Sequence, residues 1–73
     1  MRRSKLSERL KELRTAMGLS QIKLAEAIGV NSVTIAKIET GERSTSIETL
    51  IIFAGFFNVT TDYLLGLSNK KNY

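Results

Sequence analysis

Apolar residues recur along this chain at intervals of three and four, and the recurrence breaks at a few points, so one pattern predicts both helices and their ends. Leu6, Leu10, Leu13 and Met17 make a narrow stripe over residues 5–17, and Leu24, Ala25 and Ile28 make one over 21–28. Ile35 and Ile38 mark a third helix over 32–40, while Ile47, Leu50, Phe53, Ala54 and Phe57 line a fourth over 46–57. Leu64 and Leu65 belong to a short fifth segment, 61–65, and Val30 and Val59 complete the expected core. No segment alternates as a strand does. Gly18, Gly29, Gly41 and Gly66 each fall just past a predicted helix, where a left-handed residue satisfies the last carbonyls. The chain therefore reads as all-α, a compact five-helix bundle. Gly55 is the exception, inside the fourth helix, where glycine costs ~1 kcal/mol relative to alanine. Either another helix approaches closely there or the imperfection is tolerated.

The stretch from Leu19 to Gly41 is the most informative. Ser20-Gln21 suits an N-cap and first turn, and Gly29 permits the left-handed conformation that turns the chain. In the next helix Ile35 and Ile38 face inward, while Val33, Ala36, Lys37 and Thr40 fall on the other side of a 3.6-residue period. Two short helices, a glycine turn and an outward face of small and polar residues form a helix-turn-helix, whose second helix fits the major groove of DNA.

The pattern resembles the phage repressor and Cro family of helix-turn-helix domains, also called XRE-type, over roughly Leu6 to Leu67. The matching pieces are Arg9-Leu10-Lys11-Glu12-Leu13-Arg14, Gly18-Leu19-Ser20-Gln21, Leu24-Ala25, Gly29-Val30 with Ile35 and Ile38-Glu39, then Gly41, Ser46-Ile47-Glu48-Thr49-Leu50, and Asn58 to Gly66. Thr45 stands where many members carry proline, and Thr45-Ser46-Ile47-Glu48 reads as a capping box that substitutes for it. The resemblance implies a fold of the lambda-repressor-like type, with a DNA-binding domain over 1–67, its motif at about 20–40, and a C-terminal tail, 68–73, that looks frayed. It implies a sequence-specific, double-stranded DNA-binding transcriptional regulator of repressor type, with a protein-binding helical module such as an antitoxin-like partner as the alternative.

With the third helix in the major groove, Ser32, Val33, Ala36 and Lys37 are the expected base readers. Lys37 can donate to guanine O6 and N7, Val33 can pack on a thymine methyl, and Ser32 is less selective. Phosphate contacts are expected from Gln21, Asn31, Thr40 and Arg43, near helix ends where backbone N–H groups and the dipole favour anions. Asn31, like Ser20, also suits a cap of its own helix, and Arg43 reads equally as a solvated surface charge. Arg14 and Glu39 sit at the edges of their core stripes. In repressors of the resembled family the matching arginine and glutamate form a partly buried ion pair between the first and third helices.

Composition removes competing chemistries. The 73 residues make one small domain, 42% hydrophobic and 25% charged, with neither cysteine nor histidine, so disulfides, thiol catalysis, zinc fingers and imidazole bases are unavailable. The remaining carboxylates form no catalytic constellation: Glu8 and Glu12 alternate with Arg9 and Lys11, as on a solvated helix. No enzyme activity, cofactor, metal or small-molecule ligand is expected. The net charge of +4 suits a polyanionic partner, and Arg2, Arg3, Lys5, Arg9, Lys11 and Arg14 concentrate it at the N-terminus. The narrow apolar stripe of the first helix argues for a core-facing helix rather than a membrane-surface one. No stretch approaches the ~20 apolar residues of a membrane span, nor does an apolar signal-peptide core appear, so the expected location is cytoplasmic. The Asn58-Val59-Thr60 glycosylation triplet accordingly reads as a helix cap.

On the far side of the fourth helix, Ile52 and Phe56 lie one turn apart where relatives of the resembled family usually carry polar residues. With Gly55 beside them and Ile51, Tyr63, Leu67 or Tyr73 able to extend the patch, they are expected to form a two-fold contact between two copies. A homodimer of this kind would set two recognition helices ~34 Å apart, on a near-palindromic site. The alternative is a C-terminal tail folded back over Ile52 and Phe56 within one chain.

Overall fold

Four of the five helices begin where a short polar side chain can take up an unsatisfied backbone N–H. In the computed structural model, which describes residues 4–72, the order is α1 (Leu6–Ala16), α2 (Gln21–Ile28), α3 (Ser32–Thr40), α4 (Ile47–Phe57) and α5 (Thr61–Leu65). Ser20 accepts from Lys23 N at 3.0 Å, Asn31 from Val33 N at 2.7 Å, Ser46 from Thr49 N at 3.1 Å and Thr60 from Tyr63 N at 3.0 Å. The cap of α4 is thus Ser46 and not Thr45. The expected box was displaced by one residue, because helical geometry begins at Ile47 and puts Thr49 rather than Glu48 at the third position. The glycosylation triplet serves as caps at both ends: Asn58, with φ 55°, closes α4 in the left-handed region and Thr60 opens α5.

No strand occurs among the described residues, and the helices enclose a single core. Leu10 from α1, Leu24 from α2, Ile35 and Ile38 from α3, Phe53 from α4 and Leu64 from α5 are its fully buried side chains. Leu13, Ile28, Val30, Leu50 and Phe57 pack at its margin, together with Leu19. α3 lies against both α2 and α1, while α5 bridges α1 and α4. Two expected core positions are corrected. Ile47 is 74% and Met17 53% exposed. Each occupies the terminal turn of its stripe, where the neighbouring helices no longer cover it.

The tail is not frayed over its described length. Arg9, a buried residue on the apolar stripe of α1, donates from NH1 to the carbonyls of Tyr63 (2.7 Å) and Ser68 (2.6 Å), and from NH2 to Asn69 Oδ1 (2.9 Å). Thr60 N donates to Lys71 O at 2.8 Å, and Lys5 N to Leu65 O at 3.2 Å. The guanidinium of Arg9 also lies 4.1 Å from the centroid of the Tyr63 ring, a cation–π stack. This arrangement overturns the assignment of Tyr63 to the exposed patch: the ring is buried beneath Arg9. Gly66 is needed where the tail leaves α5, since it has φ 82° and a Cβ there would come within 2.8 Å of Lys5 Cγ.

Candidate nucleic-acid interface

Gly29, at φ 77°, ends α2 in the left-handed region and lets the chain turn back into α3, which packs against α2 and buries Ile35 and Ile38. Its opposite side is left open: Val33 is 57% exposed, Lys37 is exposed, and Ser32 and Ala36 are half-buried. The four expected base readers therefore share one helix, with Val33 and Lys37 one turn apart and farthest from the core.

The expected phosphate contacts surround this helix at different points. Asn31 caps α3 through its side-chain oxygen, which leaves the amide N–H groups of the same side chain available. At the other end, Glu42 N and Arg43 N both donate to Lys37 O, at 2.9 and 3.3 Å, and Lys37, Glu42 and Arg43 line one shallow concavity. Lys37 and Arg43 are thereby brought to one concavity, which Glu42 also lines without pairing to either. The Thr40 hydroxyl donates to Lys37 O at 3.1 Å, and Thr40 and Arg43 share a cavity of about 170 Å³ with Ser4 and Ser7 at the start of α1. Gln21, half-buried at the first position of α2, donates from Nε2 to Glu39 Oε1 at 3.1 Å.

Arg14 and Glu39 hold the motif to α1. Arg14 Nε meets Glu39 Oε2 at 2.6 Å and NH2 meets Oε1 at 2.9 Å, with the two side chains 11% and 3% exposed. The third arm of the guanidinium donates to Leu19 O at 2.7 Å, in the loop that leads into α2. The hydrogen bond to Glu39 raises the Arg14 pKa above its ordinary value, with burial opposing and the carboxylate charge adding. Its charge-dependent contribution to folding is therefore complete at neutral pH and is lost only as pH rises through a strongly alkaline folded-state value.

Sequence reasoning missed Arg9. Its signal was present, since residues 6, 9, 10 and 13 share a helical face, but an arginine on that face was read only as positive charge. Ile22, 60% exposed in the first turn of α2, was also passed over. Arg2, Arg3 and Tyr73 lie outside the described residues. Among the described residues no cluster of acidic side chains has the arrangement of a metal site, and no helix is long and apolar enough to cross a membrane.

Bundle topology, glycine turn and an open α3 flanked by capped helix starts together define a helix-turn-helix domain. The chain belongs to that family: the family model described as helix-turn-helix matches residues 10–64. It is 36% identical over 69 residues to the HTH-type transcriptional regulator ImmR of Bacillus subtilis, covering 92% of this chain and 54% of that protein. The chain spans between about three-tenths and six-tenths of the length of the curated relatives it matches first. Among solved structures, a transcriptional regulator from Listeria innocua superposes with a TM-score of 0.82 at 32% identity, over 89% of this chain and 61% of that one. The P22 c2 repressor protein, solved in complex with a synthetic operator, superposes with a TM-score of 0.78 at 28% identity, over 82% of this chain and 91% of that one. The lambda-repressor-like expectation for the fold therefore holds.

Proposed function

We propose that this chain is a sequence-specific, double-stranded DNA-binding transcriptional regulator that acts in the cytoplasm by occupying an operator, in the manner of a repressor. The observation that carries this reading is the open face of α3, with Val33 and Lys37 exposed on a helix locked to α1 by the Arg14–Glu39 pair. α3 enters the major groove, where Ser32, Val33, Ala36 and Lys37 read base edges. Gln21, Asn31, Thr40 and Arg43 set the register on the phosphates. Its role is binding rather than catalysis, and it calls for no cofactor.

Two copies act together on a near-palindromic site. Support comes from the outer face of α4, where Ile51 is 58%, Ile52 45% and Phe56 36% exposed, with Ile47 at its start and the 75% exposed Leu67 following α5. Several large apolar side chains exposed on the outer side of one helix fit an interaction site better than the scattered exposure usual on a monomer. Among the described residues, apart from its chain neighbours and the backbone of its own helix, nothing comes within 4 Å of a Cβ built on Gly55, so the space beside it is open to a second chain. The described tail is held by Arg9 and Thr60 and leaves Ile52 and Phe56 exposed, which removes the fold-back alternative for residues up to Asn72. A mobility-shift titration over a salt series, on duplexes selected from random DNA, tests the reading. We expect a selected site with two-fold symmetry and affinity that falls steeply with salt. Binding to every duplex alike, or to none, would refute it.

A further inference from the structure

The Glu39 carboxylate serves two helices at once. Arg14 of α1 takes both its oxygens, and Gln21 of α2 donates to one of them, Oε1, at 3.1 Å. An ionised carboxylate has about four lone-pair sites, so three donors fit without competition. A glutamine amide has two N–H donors and an acceptor oxygen. Here one N–H is spent on Glu39, and among the described residues the other N–H and Oε1 have no protein partner. They are not stranded, because every fully buried side-chain polar atom among these residues is satisfied and Gln21 is only half-buried. An exposed glutamine ordinarily samples many rotamers, and ordering one on binding costs conformational entropy. A buried, fixed carboxylate removes most of that sampling beforehand.

We infer that Glu39, which itself touches no DNA, is a positioning residue: fixed by Arg14, it orients the Gln21 amide so that its second N–H is presented to a backbone phosphate. The inference rests on the DNA-binding reading above and adds to it a cause for the geometry of one phosphate contact. Arg14 supports the device from behind by tying the carboxylate and the Leu19 carbonyl to one guanidinium. The pair is then part of the binding apparatus as well as of the fold.

The test is a cycle that separates positioning from stability. Removing one charge alone strands the other, so both are replaced together, Arg14→Met with Glu39→Leu, a change that often leaves a fold intact. Gln21→Ala is made in the wild type and in that double variant, thermal unfolding is checked, and binding to a selected duplex is followed across salt. In the wild-type background Gln21→Ala should weaken binding roughly tenfold at every salt concentration, with the slope of log K against log salt unchanged because the amide is neutral and releases no counterion. In the double variant affinity should already be reduced, and Gln21→Ala should add nothing. Equal effects of Gln21→Ala in both backgrounds overturn the inference while leaving the DNA-binding reading intact. A wild-type protein without salt-dependent binding removes both. Should the double variant fail to fold, the Nε2 proton resonances of Gln21 in the wild-type protein decide. One should stay fixed while the other shifts on adding the duplex, and joint movement or none overturns the assignment.

Discussion

At the scale of single residues, charge divides into side chains that read and side chains that hold. Lys37 stands exposed beside Arg43, one turn beyond Val33, with no acid within ion-pair distance among the described residues. We expect Lys37→Ala to cost roughly 1–3 kcal/mol of binding and to relax preference at one base pair. Equal losses on selected and random duplexes would remove it from the readers. Arg9 carries the same formal charge in the opposite setting, buried, with three neutral acceptors and an aromatic face but no carboxylate. Hydrogen bonds to a charged group are worth about 1.5–3 kcal/mol, so Arg9→Ala should destabilise the fold by ~3 kcal/mol. Amide exchange at Thr60, whose N–H is held by Lys71 O, should speed up with it. Unchanged urea unfolding together with unchanged exchange would show that the tail is held by something else.

At the scale of helices, capping sets the starts and neighbours set the faces. Ser46 and Thr45 are adjacent and chemically alike, yet only Ser46 accepts the Thr49 N–H. Ser46→Ala should therefore cost ~1 kcal/mol and Thr45→Ala close to nothing, measured by thermal unfolding. The reverse order would return the cap to Thr45. α4 shows how a face is divided: Phe53 and Ala54 are buried, while Ile51, Ile52 and Phe56 on the other side are exposed, with no helix over them among the described residues. Apart from Glu48 and Thr49 its side chains are apolar or absent, so periodicity separated Phe53 and Ala54 from Ile52 and Phe56 but placed Ile47, at the first turn, inward when it lies outward.

At the scale of the whole molecule, one core of 73 residues leaves little surface for more than one task per face. α3 offers DNA its open side, and α4 offers a second copy an apolar one. Ile52→Glu combined with Phe56→Glu should give a folded protein that sediments as a monomer and loses affinity for a two-fold site while keeping weak affinity for a half-site. A dimer that persists in this variant, or a wild type that stays monomeric at tens of micromolar and on DNA, would end the two-copy proposal.

The sequence by itself determined the helices, their order and the helix-turn-helix, because local hydrogen bonding and a 3.6-residue period act over a few neighbours. Ser20, Asn31 and Gly29 announce their roles within four residues of where they act. The Arg14–Glu39 pair was legible only through family resemblance, since nothing local links positions 25 apart. Only the tertiary structure decided that Gln21 shares the Glu39 carboxylate, that Arg9 turns inward to fasten the tail, and that Tyr63 is buried beneath it. These outcomes depend on which side chains from distant helices meet. A lone arginine on an apolar stripe finds its acceptors when α5 folds back across α1, a long-range contact that local periodicity does not encode.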